Sequence, residues 1–250
     1  MRSSVPNLCL DTIDSTSNYL KEHPEFWQEN FFSIRALRQT QGRGRYGRSW
    51  FSGENNLTFS FVFNPPEFVS SSNLSPLTIV AGLALREAAE NLTKKNIQIK
   101  WPNDIVFSGK KLAGILSEMT QTANQKIIIF GIGLNLNSDN MPSDISEKSI
   151  SLKDIDGLSR SPDNVLNEIM IQMKAYLTAF KIPLSDSIRS EFSRHCLREG
   201  NLVSIMDYKN NKIVKKNLQV MGINEQGLLG VSSMNGDIEF IDAYEVEINS

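Results

Sequence analysis

The sequence predicts an α+β protein in which a mixed sheet carries long helices and a small β-barrel follows. Three observations predict it. Leu77, Val80, Ala81, Ala84, Leu85, Ala88 and Leu92 recur at three- and four-residue spacing, as do Val165, Leu166, Ile169, Met170, Met173 and Leu177. Such stripes belong to helices that lay one face on a core. Ile127-Ile-Ile-Phe130 sits inside a nearly unbroken apolar run from Lys126 to Gly133, the pattern of a strand covered on both faces. After Gly200 the helical spacing stops and short strand-like runs follow one another closely, which suggests a barrel. We therefore expect two domains, a larger one over 1–197 and a small one over 198–250.

Each element has a local reason. Asn7 to Ile13 reads as a strand, and Asp14-Ser-Thr-Ser17 offers helix caps for a helix from Asn18 to the disturbance at Pro24. Phe31 to Arg38 and Leu57 to Phe63 are strands; the second sets Leu57, Phe59, Phe61 and Phe63 on one side before Pro65-Pro66 ends it. Ser75 as N-cap with Pro76 in first position opens the first long helix. Ile97 to Lys100 is a strand, Trp101-Pro-Asn-Asp104 a turn, because the residue before proline avoids the helical region. Ile105 to Phe107 and Leu112 to Met119 pair as a hairpin through Ser108-Gly109, and the apolar run from Lys126 follows. Asn137 to Ser151 is polar and aperiodic, so a mobile loop is expected. Ser161-Pro162 caps the second long helix, and a further helix fits Ser185 to Leu197. The final strands are Leu202 to Ile205, Asn217 to Ile223, Leu228 to Ser232 and Ile238 to Ile241, with turns at Asn224–Gly227 and Asn235-Gly236.

Composition narrows the function classes. The hydrophobic fraction of 40% and charged fraction of 22% are those of a globular protein with a real core. A formal net charge of -2 argues against general binding to nucleic acid or membrane surfaces. Cys9 and Cys196 form no CxxC pair, and His23 and His195 cannot build a His-rich metal site. No signal peptide and no apolar stretch near the ~20 residues of a membrane span is apparent, so a cytoplasmic location is expected.

Chemistry concentrates in Gln39-Thr-Gln-Gly-Arg-Gly-Arg-Tyr-Gly-Arg-Ser-Trp50. Glycine lets backbone approach a ligand, and guanidinium forks hold carboxylate or phosphate without losing charge. Gly42-x-Gly44-x-x-Gly47 matches the dinucleotide fingerprint in letters, but a strand follows it where the fingerprint requires a helix. Alone, the loop could be a solvated basic turn. Lys100-Trp-Pro-Asn-Asp104 adds an amide and an acid in a stiffened turn, suited to a Mg²⁺–phosphate contact or a general base. Lys111-Leu-Ala-Gly-Ile-Leu116 sets a lysine at the head of an apolar strand, and Gly131-Ile-Gly-Leu-Asn135 would let a flat ring approach the backbone.

Together with Asp14-Ser-Thr16, these segments resemble the biotin protein ligase family over nearly the whole chain, in order and approximate spacing. The resemblance implies a class II synthetase-like catalytic fold with an SH3-like C-terminal barrel, and an enzyme that activates biotin with ATP as biotinyl-5′-AMP. The acyl group then passes to a lysine of a biotin carboxyl carrier domain, as in acetyl-CoA carboxylase. It implies biotin contacts from Ser15, Thr16, Gln39, Arg43, Gly44, Arg45 and Lys111. It implies nucleotide contacts from Arg45, Arg48, Trp50, Asn103 and Asn135, catalytic roles for Arg45, Asp104 and Lys111, and Mg²⁺ near Asp104 through the ATP phosphates. This sequence departs from the common Ser-Thr-Asn: Ser17 follows Thr16, and the amide comes one place later as Asn18. Larger relatives carry an N-terminal DNA-binding domain, which is not expected here, and a monomer or homodimer is expected. A lipoate ligase of the same superfamily is the nearest alternative, and a nucleic-acid module using the Arg-Gly loop a more distant one.

Overall fold

In a computed structural model the chain is described over residues 7–53, 55–70, 74–137, 143–197, 200–207, 212–233, 236–242 and 245–248. The larger sheet has seven strands in the order β1-β2-β3-β7-β6-β5-β4. Their ranges are β1 (Asn7–Ile13), β2 (Ser33–Gln39), β3 (Leu57–Phe63), β4 (Gln98–Lys100), β5 (Asp104–Phe107), β6 (Lys110–Gln121) and β7 (Lys126–Leu134). β1 runs parallel to β2 and the remaining neighbours are antiparallel, so the sheet is mixed. The second, antiparallel sheet has the order β11-β10-β9-β8-β12. It contains β8 (Leu202–Asp207), β9 (Lys212–Ile223), β10 (Leu229–Ser232), β11 (Ile238–Ile241) and β12 (Glu245–Ile248).

β7 and β3 show why the site lies where it does. On one face of the sheet Phe59, Phe61, Phe63, Ile128, Phe130 and Ile132 join the main core, where Phe61 and Phe130 stack at 5.1 Å. Helices α2 (Leu74–Thr93) and α5 (Pro162–Thr178) contribute their apolar stripes to the same core. Alternate residues point the other way. There Val62, Ile127 and Ile129 form a smaller core with Leu20 and Trp27, roofed by α1 (Thr16–Glu22) and the 3-10 turn Pro24–Gln28. Further along that face the isoleucines give way to Gly131 and Gly133, opposite Ser60 and Thr58 of β3. The sheet surface is bared there, and the cavity described below opens over it.

Several expectations change in detail. Phe59 and its partners do share one side of β3, but Thr58, Ser60 and Val62 on the other side are buried too. α2 begins at Leu74, so Ser75 lies inside the first turn and is not its N-cap; its hydroxyl donates to Asp242 at 2.8 Å. α1 begins at Thr16 with Ser15 as N-cap, two residues before the expected start. The segment expected to be a mobile loop holds α3 (Ser143–Ser146) and is laced to β6, because Lys111 N donates to Lys148 O and Ile150 N to Lys111 O. It continues into α4 (Leu152–Asp156), whose capping box is formed by Ser151 and Asp154. Its residues 138–142 lie outside the described residues. α6 (Asp186–His195) is capped by Ser185 as expected. β9 starts five residues earlier than the pattern suggested, and β12 was not expected at all. At the expected turns Gly227 and Gly236 have φ of 74° and 88°, while Asn235 lies outside the described residues.

The two sheets share one core. Val203, Ile205, Val220, Leu229 and Val231 belong to the same apolar cluster as Phe59 and Phe130. Leu197 N donates to Ile99 O at 2.8 Å, Leu184 N to Glu225 O at 2.9 Å, and the Trp101 indole N–H to Gly227 O at 3.3 Å.

Candidate active site

A cavity of about 260 Å³ opens over the bared glycines of β7. Ser15, Thr16, Gln39, Arg43, Gly44, Arg45, Arg48, Trp50, Asn103, Lys111 and Asn135 all line it. The five segments singled out in the sequence thus meet on one hollow. Asp104 is not among the lining residues; its Oδ1 lies 2.7 Å from the ammonium of Lys111, which is. Gly114 makes this possible, because a Cβ there would come within 3.2 Å of Lys111 Cε and 3.4 Å of Asp104 Oδ1.

The glycine–arginine loop folds on itself. Gly44 N donates to Arg48 O at 2.7 Å and Trp50 N to Gly42 O at 2.8 Å. Gly42 has no substitute here, since a Cβ would lie 2.5 Å from Trp50 O. Tyr46 and Gly47 turn the tip with φ of 57° and 74°, a left-handed pair that favours glycine. The folded tip delivers Arg45 across the mouth to Asn103, Nη1 to Oδ1 at 3.3 Å, with Nη2 on the Tyr46 hydroxyl at 2.9 Å. It also lays the Trp50 indole on Gly133, where a Cβ would come within 2.1 Å of Trp50 Cε2. The Lys111 ammonium lies 5.5 Å from the centre of that ring, and the indole N–H is buried without a partner.

The closed end is polar and uncharged. Gln39 Oε1 accepts from Thr16 N at 2.7 Å and from Thr16 Oγ1 at 3.0 Å. Ser60 Oγ lies 2.7 Å from Thr16 Oγ1 and 2.9 Å from Ser17 Oγ. Ser15 is 3% exposed, and its side chain makes no capping bond. This end presents hydroxyls and an amide to a neutral, hydrogen-bonding head group, whereas Arg45 and Lys111 at the other end suit anions. At that departure from the common motif the two side chains go different ways. Ser17 points into the cavity against Gly131, where a Cβ would meet its Oγ at 2.7 Å, while Asn18 turns away to Asp14 at 2.6 Å.

Two residues escaped sequence reasoning. Ser60 holds the hydroxyl cluster together; its only signal was a polar residue amid Phe59, Phe61 and Val62. Glu118 accepts both Arg43 guanidinium nitrogens, at 3.2 and 2.8 Å, so this arginine, expected to face a biotin carboxylate, has its Nη atoms engaged with protein. Asn135 Nδ2 donates to Lys111 O at 3.1 Å and so also steadies the lysine.

Residues 9–135 match the profile of the Biotin/lipoate A/B protein ligase family. The "Bifunctional ligase/repressor BirA" of Bacillus spizizenii is 34% identical over 165 residues, 64% of this chain and 50% of that protein. The "Biotin--[acetyl-CoA-carboxylase] ligase" of Mycobacterium tuberculosis is 28% identical over 173 residues, 68% of this chain and 62% of its own length. The chain thus spans about half to three fifths of these curated relatives. Among solved structures, the biotin protein ligase of Aquifex aeolicus in complex with biotin and ATP superposes with a TM-score of 0.83 at 30% identity. That match covers 98% of this chain and 99% of the other.

Proposed function

The chain belongs to the Biotin/lipoate A/B protein ligase family, and from that premise we propose that it is an ATP-dependent biotin protein ligase acting on a lysine of a biotin carboxyl carrier domain. One observation carries the reading: a single cavity joins a neutral, hydroxyl-rich end to a cationic end walled by an indole. A ureido ring suits the cluster of Ser15, Thr16, Ser17, Gln39 and Ser60, which can both donate and accept. The acid's chain would run over Gly131 towards Lys111 and Arg45. The solved Aquifex relative holds biotin and ATP together, the pair of ligands this reading requires.

In the first step a carboxylate oxygen attacks the α-phosphorus of ATP, pyrophosphate leaves, and an acyl-adenylate forms. Two anions must approach, so fixed positive charge that needs no reorganisation lowers the barrier. Lys111 and Arg45 supply it, both already held in place by protein partners. Arg48, Trp50, Asn103 and Asn135 form the nucleotide wall in this reading, with the adenine ring against the Trp50 indole. A Mg²⁺ ion arriving with ATP would be held chiefly by phosphate oxygens, with Asp104 as its one carboxylate neighbour, and would screen phosphate charge, as such ions combine few carboxylates with phosphate oxygens. In the second step the carrier's lysine amine attacks the acyl carbon and AMP leaves. Asp104, at the Lys111 ammonium, takes the proton that the amine gives up.

The test is ATP-dependent transfer of labelled biotin to a purified biotin carboxyl carrier domain, with lipoate and a lipoyl domain in parallel. Transfer of biotin and not lipoate is expected. Preference for lipoate, or no transfer of either, overturns the proposal.

A further inference from the structure

Glu118 lies on β6, on the same face as Gly114 and Leu116 but beyond the cavity lining. Its carboxylate gathers two cations from elements far apart in the chain. Arg43 Nη1 and Nη2 donate to Oε1 and Oε2 at 3.2 and 2.8 Å, and Lys21 Nζ of α1 donates to Oε1 at 2.7 Å. The side chains of Glu118, Lys21 and Arg43 are 21%, 29% and 36% exposed, so the cluster is partly shielded from solvent. α1 provides the hydroxyls of the closed end, and Arg43 is the first arginine of the loop that forms the opposite wall. One carboxylate therefore ties both walls of the cavity to the floor.

We propose that Glu118 is a positioning residue: by holding Arg43 bidentately and Lys21 at once, it pre-sets the glycine–arginine loop over the acid-binding end before substrate arrives. A flexible glycine-rich loop loses conformational freedom when it closes on a ligand, and that cost falls on binding unless the loop is already held. A two-pronged guanidinium–carboxylate bond fixes direction as well as distance. Arg43 is then chiefly the loop's tether, and charge neutralisation at the reacting carboxylate falls to Arg45 and Lys111. This rests on the reading of the cavity as the acid and nucleotide site.

The experiment has a ligand-free arm and a kinetic arm. In the unliganded protein, hydrogen exchange is followed at the Gly44 and Trp50 amides, both bonded within the loop. Glu118→Gln and Arg43→Gln are each expected to speed that exchange about tenfold, and the double variant no more than either alone, because both break the same Arg43–Glu118 pair that tethers the loop. Steady-state kinetics should show KM for biotin rising about tenfold in Glu118→Gln, with kcat within about threefold, the pattern of lost ground-state binding. Unchanged exchange in Glu118→Gln, additive effects in the double variant, or a fall in kcat at constant KM overturns the proposal. Should Glu118→Gln not fold, Arg43→Gln removes the tether from the loop side and decides alone by its exchange. A wild-type protein that transfers no biotin would sink the ligase reading while leaving the exchange arm intact.

Discussion

Gly133 shows how much one missing side chain can do. The Trp50 ring occupies the space its Cβ would need, at 2.1 to 2.4 Å from three indole atoms. Gly133→Ala must therefore push the indole off the strand. The expected result is at least a tenfold rise in KM for ATP with a loss of about 1–3 kcal/mol of stability, the usual range for one added methyl in a packed site. ATP kinetics and denaturant melts check the two parts separately. The residue scale also marks how far sequence reasoning reached. Eleven of the twelve expected site residues line one cavity, because each sits in a motif whose chemistry shows in its own letters. The twelfth, Asp104, pairs with Lys111 and is not itself in the lining, a matter of side-chain direction that spacing does not encode. Ser60 and Glu118 act through partners 44 and 75 residues away, and no local pattern announces such pairs.

Among the elements, the glycine–arginine loop carries the sharpest expectation. Its tip is held over the mouth by Arg45, which reaches Asn103 in the turn before β5. Arg45→Gly removes that latch and, in the proposed reading, a positive charge facing the adenylate. Adenylation should slow, and the intermediate that does form should escape, so that lysines of bystander proteins are labelled as well as the carrier. Mass spectrometry of labelled sites in a mixture of carrier and albumin checks this; labelling confined to the carrier would remove the gating role. Elements with strong internal periodicity, such as β3, β7 and α5, were legible almost to the residue. The segment 143–151 was not, because its order comes from backbone pairing with Lys111 on another strand and not from any repeat of its own. β12 was missed for a related reason: Glu245 to Ile248 alternates acid and aliphatic over only four residues, and its pairing with β8 reaches back some forty positions.

At the scale of the molecule, α6 packs its last turn against α2. His195 Nδ1 lies 3.1 Å from Arg86 Nη1, and Arg86 also pairs with Glu90. Burial, then the charge of Arg86, hold the His195 pKa below its usual value against the opposing charges of Glu90 and Glu191, with Arg194 adding least. The unfolded chain therefore takes up this proton more readily than the folded one. Stability linked to His195 is fully present above its unfolded pKa and is lost as pH falls through that value towards the folded one. The thermal midpoint should drop between pH 7 and pH 5, and His195→Gln should flatten that part of the profile; identical slopes in both proteins would contradict the assignment. No helix among the described residues is long and apolar enough to cross a membrane.

The bare glycine floor has a consequence for anyone wishing to redirect this protein to bulkier acids. In the proposed reading the acid rests where β7 is trimmed to main chain at Gly131 and Gly133, and Gly114 of the adjoining strand is the same. No side chain remains there to delete, so extra room must come from the sides, for example at Leu116, Ser17 or Trp50. Broadened substrate range is thus coupled to a loosened lid or a weakened nucleotide seat, and selection for one should drag the other with it.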